Sequence, residues 1–251
     1  MDNSFLIEEA YNQQPGVVQH IFNAVYGLNR LAGPDEHDLD FSFTQEWPLL
    51  SQTHQFSYTI PYHFAKIGSR SADGLGDVLL NYRFQAWFEE KTLTALAPRF
   101  SLILPTGDAQ RGFGNDTLGY QWSLPFSTTF GDFWFFHANA GLTFLPQAGP
   151  RPRHDLLDYN LGASLIYAVS PRVNFMLEWI GSWNESPEDT GGVSRQFESV
   201  ISPGVRCGFN SANGSQFVAG LAAPIGLTAS APDIGIFLYL SFEHSFMKVK
   251  K

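Results

Sequence analysis

The sequence predicts an all-β protein, a single antiparallel up-and-down transmembrane β-barrel of about 12 strands with both termini on the periplasmic side. Three observations carry this expectation. Between residues 93 and 145, apolar residues fall at every second position in three runs: Leu96, Pro98, Phe100, Leu102, Leu104; Leu118, Tyr120, Trp122, Leu124, Phe126; Trp134, Phe136, Ala138, Ala140, Leu142, Phe144. That is the period of a strand with one continuous apolar face. The alternate positions hold Arg99, Ser101, Gln121, Ser123, Ser127, His137, Asn139 and Thr143, so the second face is polar. Each run is about ten residues, the length of a tilted strand that crosses a bilayer.

Alternation alone also fits a soluble sandwich, whose apolar faces meet in a core. Aromatic residues near strand ends, alternating tight turns and long loops, and a last strand ending in an aromatic favour the barrel instead. Composition is compatible with both. The chain has 251 residues with 44% hydrophobic ones, and its mean hydropathy of -0.11 suits a barrel that dilutes each outward apolar residue with an inward polar one. With 23 Phe and 6 Trp there is material for aromatic girdles. A formal net charge of -9 disfavours nucleic acid as a partner. No apolar run is long enough for a transmembrane helix. The start, MDNSFLIEEAYNQ, has neither the basic beginning nor the apolar core of a signal peptide, so an exported chain would be the mature form. Cys207 stands alone, which excludes an intramolecular disulfide and a Cys-rich zinc site.

Residues 1–15 precede the barrel, closed by Pro15-Gly16, and are read as a periplasmic or lumen segment: a short helix, a piece tucked into the barrel, or a loose terminus. Residues 16–247 form the barrel and 248–251 a basic tail. Strand one spans 17–28, with Phe22, Ala24, Tyr26 and Leu28 outward, and a loop with Gly33-Pro34-Asp35 follows. Strand two, 39–47, sets Phe41, Phe43 and Trp47 against Asp40, Ser42, Thr44 and Glu46; strand three, 55–64, sets Phe56, Tyr58, Ile60, Tyr62 and Phe64 against Ser57, Thr59 and His63. After a longer polar loop, 66–74, strand four (76–87) turns Asp77, Asn81, Arg83 and Gln85 inward. Strands five to seven are the three runs above, joined by the loop 106–117 and by the turn Gly131-Asp132. A loop with Arg151, Arg153 and His154 leads to strand eight, 158–168. Strand nine, 173–183, carries Glu178 inward; an acidic loop, 185–194, precedes strand ten, 197–209, with Glu198, Ser202 and Arg206 inward. Strand eleven spans 216–228. Strand twelve, 234–246, faces Tyr239, Ser241, Glu243 and Ser245 inward and ends at Phe246, which looks like the C-terminal recognition signal of outer-membrane proteins.

The stretch 98–108, PRFSLILPTGD, with Gly76-Asp77 upstream and Gly112, Gly114, Gln121, Leu124 and Pro125 downstream, resembles the transporter-like outer-membrane proteins named after the phenol meta-degradation pathway. The resemblance spans most of the barrel and is sharpest over about residues 74–130. It implies a bacterial outer-membrane barrel that takes part in uptake of small compounds, aromatic or hydrophobic ones among them.

The inward charges expected are Asp40, Glu46, Asp77, Arg83, Arg99, Glu178, Glu198, Arg206 and Glu243, with His63, Gln121, His137, Asn139 and Tyr239 as polar lining. Charge inside a barrel is costly unless hydrated or matched. These residues are therefore either a conduit that sets selectivity or a salt-bridged network that fills the lumen. The expected function is a passive channel or transporter for small solutes through a polar, mixed-charge lumen. A closed structural or interaction barrel is the alternative, with loops 66–74, 106–117, 147–156 and 185–194 as its outer surface. A lipid-modifying enzyme would need a serine within reach of His20, His63, His137 or His244. His244 has none on its own face, and no catalytic residue is assigned. HExxH, EF-hand and CxxC patterns are missing from the sequence, so no metal or cofactor is expected; Gly112-Phe113-Gly114 is a loop, not a dinucleotide fingerprint. The acidic residues 185–189 are a solvated loop or a collector of Ca²⁺. The expected partners are outer-membrane lipid, lipopolysaccharide and a small-molecule solute, with the protein a monomer. Pro61, Pro125, Pro203 and Pro224 each remove a ladder donor, and mark bulges or, if clustered, a lateral opening.

Overall fold

Every barrel strand sits between two antiparallel neighbours, and the first pairs with the last, from Val17 opposite Ser245 to Leu28 opposite Ile234. The structure, a computed structural model, describes residues 4–30, 35–149, 152–188, 192–211 and 214–246. Met1, Gly33-Pro34, Arg151, Asp189 and the tail 248–251 lie outside the described residues. Among the described residues, sixteen hydrogen-bonded stretches make twelve barrel strands, because some continue across a break. β1 is Val17–Asn29, β2 Glu36–Leu49 and β3 Ser51–Ile67; β4 comprises Arg70–Leu75, Val78–Phe84 and Trp87–Glu89, and β5 Thr94–Leu96 and Arg99–Leu104. β6 is Gly119–Phe130, β7 Trp134–Ala148, β8 His154–Ala168, β9 Val173–Pro187 and β10 Val193–Asn210; β11 comprises Gln216–Ala222 and Ile225–Gly226, and β12 is Ile234–Ser245.

Burial is inverted relative to a soluble sandwich. Outward Phe22, Phe175 and Ile236 are each more than half exposed, while inward Ser101, Ser127, Glu178 and Ser202 are fully buried. The strand alternation therefore serves a polar interior and an apolar outer wall. Among the described residues no helix is long and apolar enough to cross a membrane; the barrel crosses with strands.

Two expectations are corrected. Residues 66–74 are not a loop: Ile67 pairs with Arg70, and the ladder runs on to Tyr62 opposite Leu75, around a turn at Gly68 with φ 59°. The hairpin reaches past the apolar wall, where polar residues suffice on both faces, so no apolar alternation announced it. Nor is the interior uniformly polar. Leu79, Ile103, Leu145 and Leu156 pack together near the long loops, and Ile166, Met176, Val218, Ala222, Phe237 and Tyr239 form a second cluster with Phe5.

The internal prolines do not gather into an opening. Pro61, Pro125 and Pro203 each lie opposite a break in a neighbouring strand, and each carbonyl accepts from a residue of that break: Gly76, Ala97 and Ala223 respectively, at 3.0, 3.1 and 3.0 Å. Pro224 sits in the third break, its carbonyl accepting from Gly235 N–H at 2.7 Å. A proline facing a bulge leaves no partner groups stranded.

Candidate functional site

The lumen is occupied by the chain's own N-terminal segment. Pro15 and Gly16 are the central residues of a turn in which Val17 N–H donates to Gln14 C=O at 3.0 Å and Gly16 has φ 80°. Proline then glycine at positive φ defines a type II turn. It folds residues 4–14 back inside the barrel, where Ser4, Phe5, Ile7, Ala10, Asn12 and Gln13 are buried.

An irregular segment in a lumen must find partners for its backbone, and the wall supplies them. The N–H groups of Phe5, Leu6 and Ile7 all donate to Glu178 Oε1, at 3.0, 3.0 and 3.2 Å. Successive amides converging on one anion form a nest. Ala10 N–H donates to Ser127 Oγ at 2.8 Å, and Gln13 N–H to Gln55 Oε1 at 2.7 Å. Arg83, itself buried, donates to Asn12 Oδ1, Glu8 Oε1, Glu9 C=O and Tyr11 C=O at 2.7, 3.3, 3.0 and 2.7 Å. Arg99 pairs with Glu8 Oε2 at 2.8 Å and reaches Gln121 at 3.0 Å. The Glu8 carboxylate thus lies between two guanidiniums, which is how a buried charge becomes tolerable.

Packing completes the fit. The ring of Phe5 stacks on Phe237 and Tyr239 at 5.4 and 5.2 Å between centroids. It lies over Gly204 and Gly220, and a Cβ at Gly220 would come within 2.1 Å of its Cζ. A Cβ at Gly162 would meet Ile7 Cδ1 at 2.3 Å. Only glycine allows these approaches.

Cavities flank the segment. One of about 290 Å³ lies between residues 4–13 and the wall, lined by Thr44, Thr59, Asn81, Arg83 and Arg99 among others. A vestibule of about 520 Å³ lies nearer the long loops, between Asp38, Asp40, His63, Phe113 and Gln121. A third of about 310 Å³ opens near the short turns, beside Tyr11, Gln52, Phe88 and Leu93.

The vestibule is shaped by the motif that carried the family resemblance. Thr106 Oγ1 donates to Gly76 C=O and accepts from Val78 N–H, both at 2.9 Å, bridging the break in β4. Asp77 accepts from Gly107 N–H, Asn115 N–H and Asn115 Nδ2 at 2.9, 2.8 and 3.0 Å. Asp108 caps the short 3-10 turn Ala109–Arg111. The loop is thereby folded inward, and Phe113 lies parallel to the His63 ring at 6.1 Å, itself bonded to Asp40 at 2.6 Å.

Of the expected residues, Arg83, Arg99, Glu178, Gln121, His137 and Tyr239 gather around the segment. Asn139 stands opposite Gly162, beside Ile7. Glu46 accepts from Gln13 at 3.4 Å and shares a row with Gln19 and Glu243. Asp40 and His63 belong to the vestibule. Asp77 lines the same vestibule, with its carboxylate latching the loop. Glu198 faces inward opposite Ser182, apart from the segment. Arg206 and Asn174 line a separate cavity of about 180 Å³ near the short turns. The sequence placed Gly162 inward with Asn160 and Ser164, but the segment's own contacts and the inward Gly204 and Gly220 were missed; their only signal was glycine on a strand face otherwise polar or large. The acidic loop expected from residue 185 begins later: Glu185 lies within β9, accepts from Leu157 N–H at 2.7 Å and pairs with Arg195 at 2.5 Å.

A serine does lie within reach of a histidine, Ser127 Oγ at 2.7 Å from His137 Nδ1. Both are fully buried and the Ser127 oxygen also accepts from Ala10, so the pair anchors the segment. His20 and His244 meet on the outer wall, Nε2 to Nε2 at 3.2 Å. Gln45 and Tyr58 extend this into a chain of bonds at 3.1 and 2.6 Å, so polar groups facing outward satisfy one another, as lipid demands.

A closed barrel with an apolar outer wall and a polar interior defines the class, an outer-membrane β-barrel. The chain resembles an outer membrane channel from Pseudomonas putida F1, with a TM-score of 0.74 at 13% identity over 94% of this chain and 98% of that one. It resembles more loosely the β domain of the Bordetella autotransporter BrkA, with a TM-score of 0.51 at 12% identity over 93% and 100%. The transport unit of the autotransporter AIDA-I from Escherichia coli is similar at 0.51 and 12%, over 98% and 95%. No protein-family model and no curated sequence matches the chain. At such identities the likeness is one of fold.

Proposed function

We propose that the protein is a passive channel of the bacterial outer membrane for small solutes, closed at rest by its N-terminal segment, with the short turns toward the periplasm. One observation supports this above others: the lumen is occupied by residues 4–14, held through side-chain bonds that can exchange for water. Withdrawal of that segment would join the cavities on either side. The barrel works as a monomer in contact with lipid and lipopolysaccharide, and Asp40, Glu46, Glu198, Arg206 and Glu243 bias the solutes admitted by charge. The Gly76-Asp77 and PTGD residues support membership of the family named after phenol meta-degradation. Together with the apolar patch of Leu79, Ile103, Leu145 and Leu156 they favour aromatic or hydrophobic solutes.

A second reading, a permanently closed structural barrel, draws support from Glu8 being held by two arginines. Planar-bilayer recordings separate the readings. Glu178→Ala removes the acceptor of three plug amides and is expected to raise the conducting fraction well above that of the unaltered protein. If both proteins are well folded and neither passes current, the closed barrel stands and the channel falls.

A further inference from the structure

Glu178 offers two oxygens, and the plug uses one. Its Oε2 has no hydrogen-bond partner among the described residues, and neither has Ser202 Oγ. The two residues face each other across β9 and β10, and both are fully buried. Buried acceptors left over beside a formed contact are costly. Next to them lies the slot over Gly204 and Gly220, walled by Phe237 and Tyr239, which holds the Phe5 ring. Phe5 presents a ring, two carbons and a nitrogen whose N–H reaches Glu178 Oε1 at 3.0 Å. That is the skeleton of a 2-arylethylamine.

We propose that this slot is a binding site for arylethylammonium cations, which Phe5 occupies as an internal mimic. The inference rests on the reading of residues 4–14 as a movable plug. A flat ring fills the glycine-floored slot, and a carboxylate in a water-poor lumen selects a cation over an anion of the same shape. The ammonium group supplies three donors, enough for Glu178 Oε2 and Ser202 Oγ together. The cavity of about 290 Å³ that borders Phe5 and Tyr239 gives access.

The test uses the full-length protein in detergent, with phenethylammonium, 3-phenylpropanoate and 2-phenylethanol as probes measured by calorimetry. Phe5→Ala empties the ring slot while keeping the plug backbone. It is expected to bind phenethylammonium at least roughly tenfold more tightly than the unaltered protein does, and by a similar factor over 3-phenylpropanoate. Glu178→Gln in the same background should erase the preference for the cation, and Ser202→Ala should weaken it less. Equal binding of all three probes, or a cation preference that survives Glu178→Gln, overturns the proposal. Should Phe5→Ala not fold, Phe5→Leu removes the ring and supports the same comparison. Bilayer recordings of these variants keep the two ideas apart. Current without a cation preference overturns the site alone, whereas a cation preference without current upholds the site and overturns the channel.

Discussion

The two ends of the lumen are closed by different means. Toward the short turns, closure is made by residues 4–14, which belong to no strand and join the wall at the turn before Val17. Toward the long loops, it is made by residues 105–118, tied into β5 and β6 on either side and latched to Asp77. A segment that is part of no ladder can leave without breaking one. A loop held at both ends can only shift. The short-turn half is therefore built as a plug and the long-loop half as a funnel, and the side chains that hold each are distinct.

The largest effect is expected from Arg83→Ala. Arg83 makes hydrogen bonds to four plug residues and is almost wholly buried. Its loss removes four bonds to the plug and leaves Glu8 with one guanidinium, at a cost of about 3 kcal/mol to the docked plug. That shifts the docked-to-released ratio by about a hundredfold. Bilayer conductance should rise, and protease should cut within residues 4–14 while the barrel stays folded. Unchanged conductance and cleavage would mean that the segment is held mainly elsewhere.

Gly220→Ala should act on the same half more weakly. The added Cβ would lie 2.1 Å from Phe5 Cζ, and backbone in a barrel wall does not yield, so the ring must leave its slot. Overpacking of this kind costs about 1–3 kcal/mol. In a double-mutant cycle, Phe5→Ala should cancel most of the conductance change caused by Gly220→Ala, because the ring is what the methyl meets. Additive changes would show that Phe5 does not carry the effect.

What the sequence made legible follows from which constraints are local. Strand alternation is written residue by residue, so the barrel, its strand order and the inward placing of Arg83, Arg99 and Glu178 could be read directly. Pro15-Gly16 marked where the segment ends, and the dipeptide presets the turn found there. The direction in which it sends residues 4–14 depends on partners more than a hundred residues away, such as Glu178 and Ser127, and no local pattern records that. Lumen glycines were equally silent, because their reason is the side chain of Phe5 or Ile7. The GD and PTGD residues were visible as a motif, but only proximity reveals that Thr106 and Asp77 bind one half of it to the other. Prolines in strands left bulges and a lateral opening both open, and the breaks opposite Pro61, Pro125 and Pro203 and around Pro224 decide for bulges.

The smallest effect separates the halves most cleanly. Asp77→Asn keeps the side chain's shape but replaces a carboxylate that accepts three bonds from Gly107 and Asn115 with a neutral amide, one arm of which can only donate. Charge-assisted bonds of this kind are worth about 1.5–3 kcal/mol, and part is retained, so the loop should loosen by about 1–2 kcal/mol. Hydrogen exchange at the Gly107 and Asn115 amides is expected to quicken by about tenfold. The resting conductance should not change, because the plug below shares no bond with this latch. If Asp77→Asn opens the channel as Arg83→Ala does, the funnel and the plug form one gate, and the vestibule must then reach the plug through the wall residue Leu79, which lines the cavities on both sides.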